Sequence, residues 1–185
     1  MISRFQLKLA ARHIHAGNII AYPTESVIGL GCNPLNESAV NRLLSIKNRS
    51  VDKGLILIAS DIEQLFPFIE ITQQQFEKLS KDQGKPTTWL VQASAFAPAW
   101  ITGRHHKIAV RLTKHQTARQ LCEITGYPLV STSANRSGHK PAKTLLRTKQ
   151  YFSDLVNFYL AGNIEGYKKP SEIRDLESDK IIRAS

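Results

Sequence analysis

Four short runs along the chain carry side chains able to grip anions. In Lys47-Asn48-Arg49 two cations stand two residues apart after a helix-like segment. If the chain leaves that helix extended, both share a face and can hold one polyphosphate. Leu129-Val130-Ser131-Thr132-Ser133-Ala134-Asn135 is an apolar strand that runs out into alternating polar residues. If the extended conformation persists, Ser131, Ser133 and Asn135 point into one crevice. In Ile108-Ala109-Val110-Arg111-Leu112 the branched residues take one face and Arg111 the other, which suits bidentate capture of a carboxylate or phosphate. Tyr22-Pro23-Thr24-Glu25 places a hydroxyl just past a proline-stiffened strand end. Ser and Asn also serve as plain turn formers, and Thr24 equally as a helix N-cap. The common chemistry is anion capture outside the ends of strands.

The usual nucleotide loops are missing. Gly84-Lys85 has Leu79 where a P-loop needs its first glycine and Pro86 where it needs Ser or Thr. Gly29-Leu30-Gly31-Cys32-Asn33-Pro34 imitates a dinucleotide fingerprint, but Pro34 takes the third glycine position. No nucleophile elbow and no pair of acids at catalytic spacing supports hydrolase chemistry. Cys32 and Cys122 lie far apart with no metal-ligand spacing, and Cys122 falls on the core stripe Ala118, Leu121, Cys122, Thr125. No metal site is indicated.

Apolar runs rich in β-branched residues alternate with helical patterns, which predicts an α/β or mixed α+β fold built on a sheet. Strands are expected at 19–22, 55–59, 88–92, 108–112, 128–131, 156–160, around Ile173 and at 180–183. Helices are expected from Asn36 or Glu37 through Lys47, after Ser60, at 73–81, 116–125 and 144–151, and at the start, where Leu7, Ala11 and Ile14 form a stripe. With 185 residues, 42% of them hydrophobic and 22% charged, and no linker or repeat, the sequence reads as one soluble domain over 1–185. No stretch reaches the roughly 18 apolar residues needed to span a bilayer. Neither a cleavable leader nor a disulfide framework is apparent, so no membrane partner and a cytoplasmic location are expected. The formal charge is +10. Between Gln83 and Ser153 eleven basic residues face the single acid Glu123, and the remainder of the chain balances to zero. A polyanion is therefore the expected partner or substrate.

Taken in order, Ala21-Tyr22-Pro23-Thr24-Glu25, Lys47-Asn48-Arg49, Lys53-Gly54-Leu55-Ile56-Leu57-Ile58, Ile108-Ala109-Val110-Arg111, Ser131-Thr132-Ser133-Ala134-Asn135 and Pro170-Ser171-Glu172-Ile173-Arg174-Asp175 resemble the YrdC/TsaC family. The family's hallmark, K-x-R followed distantly by S-x-N, is met by Lys47, Arg49, Ser133 and Asn135. The resemblance implies a single-domain twisted open sheet with a concave basic face. It implies an L-threonylcarbamoyladenylate synthase using L-threonine, bicarbonate or CO2, and ATP with Mg2+. The product would serve tRNA threonylcarbamoyladenosine formation through the transfer proteins TsaD, TsaB and TsaE, with tRNA met weakly or indirectly. Position by position, Thr24, Arg111 and Ser131 match threonine-binding positions, and Arg49, Lys53, Ser133 and Arg183 match ATP-binding ones. Asn135 joins the ATP set and Lys47 and Arg49 the catalytic set by chemistry. Relative to longer relatives, Lys53-Gly54 replaces Asn-Pro, Ile58 replaces a histidine that contacts threonine, and Pro141 replaces a serine that contacts ATP. The alternative function is a non-catalytic RNA-binding or ribosome maturation factor using the basic surface. It lacks the aromatic repeats and GXXG loop of the common RNA modules.

Overall fold

A computed structural model describes residues 2–167 and 169–184. Among these residues nine strands form a sheet in the order β7-β1-β2-β6-β3-β5-β4-β8-β9. The strands are β1 (Ile20–Pro23), β2 (Ile28–Gly31), β3 (Ile56–Ala59), β4 (Thr87–Gln92), β5 (Lys107–Leu112), β6 (Leu129–Ser133), β7 (Phe158–Tyr159), β8 (Glu172–Asp175) and β9 (Ile181–Arg183). Pairing is mixed: β1 with β7, β3 with β5 and β4 with β8 are parallel, and the other neighbours are antiparallel.

Among the described residues six helices accompany the sheet: α1 (Arg4–His15), α2 (Glu37–Lys47), α3 (Gln73–Ser80), α4 (Ala99–Thr102), α5 (Gln116–Thr125) and α6 (Leu145–Phe152). Their ends follow from local chemistry. Ser3, Asn36, Thr72 and Thr144 accept backbone N–H bonds as N-caps of α1, α2, α3 and α6. Asn48 ends α2 in the left-handed conformation at φ 50°. The segment after Ser60 is a 3-10 turn, Ile62–Leu65, in which Gln64 accepts from the Ser60 backbone N–H at 3.0 Å.

The strand β2 lies outside the sequence expectation. Its glycines argue against a strand by propensity, yet they admit it here by close approach. A Cβ on Gly31 would stand 2.5 Å from the Val130 carbonyl and 2.8 Å from the Tyr22 ring.

Alternation along the strands divides the core. Ile19, Leu57, Val110 and Val130 join the larger cluster with α2, whereas Ile20, Tyr22, Ile58 and Leu129 pack beneath α1 and α5. The helices α1 and α5 cover only part of their face. Two residues beyond Leu129 on the same face of β6 stands Ser131, in a cavity they leave open.

Candidate active site

The cavity encloses about 830 Å³. Ile56, Ala109 and Ser131, which lie in one row across β3, β5 and β6, form its floor. Its walls are the turn from Thr24 to Val27, the chain from Arg49 and Lys53 to Leu55, the loop from Ile101 to His106, and Ser171, Ile173 and Arg183 from the β8–β9 end. Thr24, Arg49, Lys53, Arg111, Ser131, Ser133 and Arg183 all line it. Among the described residues, three separate stretches of the chain thus bring six cations to one space, Arg49 and Lys53, Arg104, Lys107 and Arg111, and Arg183, against the single lining acid Glu25.

Several of them are held by definable contacts. Arg49 Nη2 donates to the Gly54 carbonyl at 2.9 Å, and burial lowers the pKa of its guanidinium. Arg183 reaches the cavity because β9 pairs with β8, and its Nη2 donates to the Ser171 carbonyl at 2.7 Å. Burial, and then the nearby charge of Arg111, lowers the pKa of Arg183. Lys107 is tied to Asp175 at 2.6 Å, and that ammonium, with help from Ser178, holds the Asp175 carboxyl down at about 2. Thr24 spends its hydroxyl within its own turn, donating to the Val27 carbonyl at 2.8 Å, so it is no helix N-cap. Ser131 is buried and stands over Gly29, where an added Cβ would come within 3.6 Å of its Oγ.

Two residues of the hallmark lie outside the cavity lining. Lys47 is 4% exposed. Asn48 turns the chain through the left-handed region, so Lys47 and Arg49 diverge and do not share an extended face. The Lys47 ammonium donates to the Ser133 carbonyl and, at 2.7 Å, to that of Asn135. Burial, and then the charge of Arg49, lowers its pKa to about 7. Asn135 likewise leaves the strand face, because β6 ends at Ser133 and the chain turns back through an Asn135 N–H bond to the Ser133 carbonyl at 2.9 Å. The Asn135 Oδ1 accepts from Ser133 Oγ at 2.6 Å, and its Nδ2 donates to the carbonyls of Arg136 and His139 at 3.0 and 2.8 Å. Both residues shape the loop that carries Ser133. Ile58 pairs with Arg111 across the ladder but is fully buried under α1 and α5, so it is core and not cavity wall, while Pro141 does line the cavity.

Spacing alone gives Glu25 and Thr113 no role. Thr113 Oγ1 donates to Glu25 Oε1 at 2.8 Å, and Arg111 Nη2 lies 3.4 Å from Glu25 Oε2. Burial pushes the Glu25 carboxyl up, but Arg111, a backbone amide and Thr113 outweigh it and hold it below the ordinary value. The only sequence signal is that Arg111 and Thr113 stand two apart. Among the described residues no group of three or more His, Cys, Asp or Glu side chains is placed to hold a metal ion. No helix is long and apolar enough to cross a membrane among them.

An open mixed sheet with a cationic cavity above the ends of β1 and β6 is a YrdC-like architecture. The chain belongs to the Sua5/YciO/YrdC family, whose profile, described as telomere recombination, matches residues 12–185. It is 48% identical over 186 residues, the whole of both chains, to a protein of Pseudomonas fluorescens Pf-5 named threonylcarbamoyl-AMP synthase. The Sua5 protein of P. abyssi, solved in complex with L-threonine, superposes with a TM-score of 0.88 at 31% identity over 95% of this chain. This chain spans about half of that one, 52% of its length. The YciO protein of E. coli shares the fold with a TM-score of 0.79 at 20% identity, over 98% of this chain and 89% of that one.

Proposed function

We propose that this chain is an L-threonylcarbamoyladenylate synthase. It joins L-threonine, bicarbonate or CO2, and ATP into threonylcarbamoyl-AMP and releases pyrophosphate. The observation that carries the reading is a single cavity in which Arg111, Thr24 and Ser131 adjoin Arg49, Lys53, Ser133 and Arg183. Similarity to named synthases over the full chain favours it above a non-catalytic RNA-binding role.

In this reading Arg111 takes the threonine carboxylate as a bidentate partner, beside Ser131 and the Thr24 turn. Arg49, Lys53, Arg183 and the Ser133 loop take the triphosphate. Threonine's amine loses a proton and captures CO2 as a carbamate. A carbamate oxygen attacks the α-phosphorus, and the bond to the bridging oxygen breaks as pyrophosphate leaves. Such a transfer rests on positioning and charge stabilisation, which cations in a half-closed cavity provide. Mg2+ would enter with ATP, held by the phosphates, and would supply charge neutralisation there. Among the described residues the one acid of the cavity, Glu25, is engaged by Arg111 and Thr113.

Residues 1–185 act as one domain in the cytoplasm. The product passes to the tRNA threonylcarbamoyl-transfer proteins TsaD, TsaB and TsaE, and tRNA itself is met weakly at the exposed cations beyond Asn135. Pyrophosphate release is the test. It is expected only when threonine and bicarbonate are both present with ATP, accompanied by an AMP adduct. Equal release with threonine omitted would remove the threonine assignment.

A further inference from the structure

Glu25 is the acid of the cavity wall, and the binding scheme above gives it no substrate. It stands 3% exposed on the turn after β1, among cations. A carboxylate there repels both a triphosphate and an amino-acid carboxylate, so binding either anion is not its task. Its contacts give it another. Oε1 accepts from Thr113 Oγ1 at 2.8 Å, and Oε2 lies 3.4 Å from Arg111 Nη2. Arg111 and Thr113 are two apart on extended chain, so both turn toward the same side and one carboxylate spans them.

The guanidinium depends on this arrangement. Arg111 is 11% exposed in its side chain, and Glu25 is its only ion-pair partner among the described residues. Left alone, a long arginine stem samples several rotamers, and fixing one of them costs conformational entropy. The buried carboxylate, itself oriented by Thr113, selects one of them. The guanidinium also lines the cavity, and beyond this ion pair none of the described residues takes its N–H groups, so its cavity-facing edge remains for a ligand carboxylate.

We propose that Glu25 is a positioning residue that, held by Thr113, aims the free edge of Arg111 at the threonine carboxylate. The inference rests on Arg111 being the threonine-carboxylate site in the reading above. Pyrophosphate release is titrated with threonine and with ATP for wild type, Glu25→Gln, Thr113→Val, Arg111→Ala and the Glu25→Gln/Arg111→Ala double variant. Threonine binding is followed separately by calorimetry. Glu25→Gln raises the threonine KM about 10- to 100-fold, leaves the ATP KM within about twofold and leaves kcat at saturating threonine near wild type. Thr113→Val keeps the charge and raises the threonine KM by less, about threefold. In the Arg111→Ala background Glu25→Gln adds no further loss, as expected of a residue acting through its partner.

An unchanged threonine KM, an equal rise in both KM values, or additive losses in the double variant would each overturn the proposal. If Glu25→Gln does not fold, Thr113→Val decides by the same split between threonine and ATP. A wild type that binds threonine but needs none for pyrophosphate release defeats the reaction, and calorimetry of the variants then decides for or against Glu25. A wild type that binds no threonine overturns both.

Discussion

Replacing Lys47 by Met removes the ammonium while keeping most of the volume of its stem, so the loss falls on the two carbonyls it serves. The Ser133 carbonyl keeps a second donor, the Asn135 N–H at 2.9 Å, but the Asn135 carbonyl has Lys47 Nζ as its donor at 2.7 Å. A buried acceptor left without a partner costs about 1–3 kcal/mol. Relief from burying an ammonium offsets part of this. A net loss of about 1–2 kcal/mol corresponds to a fall in Tm of about 2–8 °C for a chain of this size. The offset depends on pH. The folded Lys47 pKa is lowered to about 7 from 10.5, so between these values the unfolded chain binds a proton that the folded one sheds. Wild-type stability relative to Lys47→Met therefore rises with pH across that window and is lowest below about 7. Thermal melts from pH 6 to 10 check this, with pyrophosphate release giving the ATP requirement, which is expected to rise several-fold as the Ser133 loop loosens. Melting and ATP requirement both equal to wild type would refute the anchoring role. A collapse of turnover at saturating ATP with unchanged melting would return Lys47 to the phosphates, as a charge that acts in the transition state.

Arg111→Ala is expected to impair threonine use and Arg49→Ala ATP use, each by about 2–4 kcal/mol of transition-state stabilisation, read from substrate titrations of kcat/KM. A rise in the requirement for the same substrate in both variants would refute the division of the cavity. Binding of tRNA across a salt series is expected to be weak, with log K falling by about 0.7–0.9 per phosphate contacted for each unit of log salt. Changing Lys140, Lys143 and Lys149 together to Ser should flatten that slope, and an unchanged slope would remove RNA as a direct partner.

Periodicity carried most of the fold. The stripe Leu7, Ala11, Ile14 and the run from Gln116 to Thr125 are amphipathic over several turns, and both are helices with that face buried. Where the sequence misleads, the cause is tertiary. Gly29 and Gly31 deny β2 any strand propensity, but only glycine lets that strand pass the Val130 carbonyl and the Tyr22 ring. Spacing places Lys47 and Arg49 on one face and Asn135 with Ser133 on another. Each expectation requires extended chain where the structure turns, at the left-handed Asn48 and after Ser133. The tie from Glu25 to Thr113 spans 88 residues of sequence, a distance at which no local pattern reports a contact.

The net charge and the cationic cavity are different features of the molecule. The excess of ten sits between Gln83 and Ser153, yet Arg49, Lys53 and Arg183, the cations proposed to hold ATP, come from the charge-balanced remainder. Within the basic segment Lys85, Arg104, Lys107, Arg111, Lys114 and Arg119 each face an acid, five of these acids from outside the segment. Among the described residues Arg136, Lys140, Lys143, Arg147 and Lys149 have no such partner, and all five are exposed. Folding therefore neutralises the half of the segment nearest the sheet and leaves the surplus on the stretch that follows the Ser133 loop. A small-molecule reaction in the cavity makes no use of charges placed there, whereas a polyanion approaching its rim would meet them first.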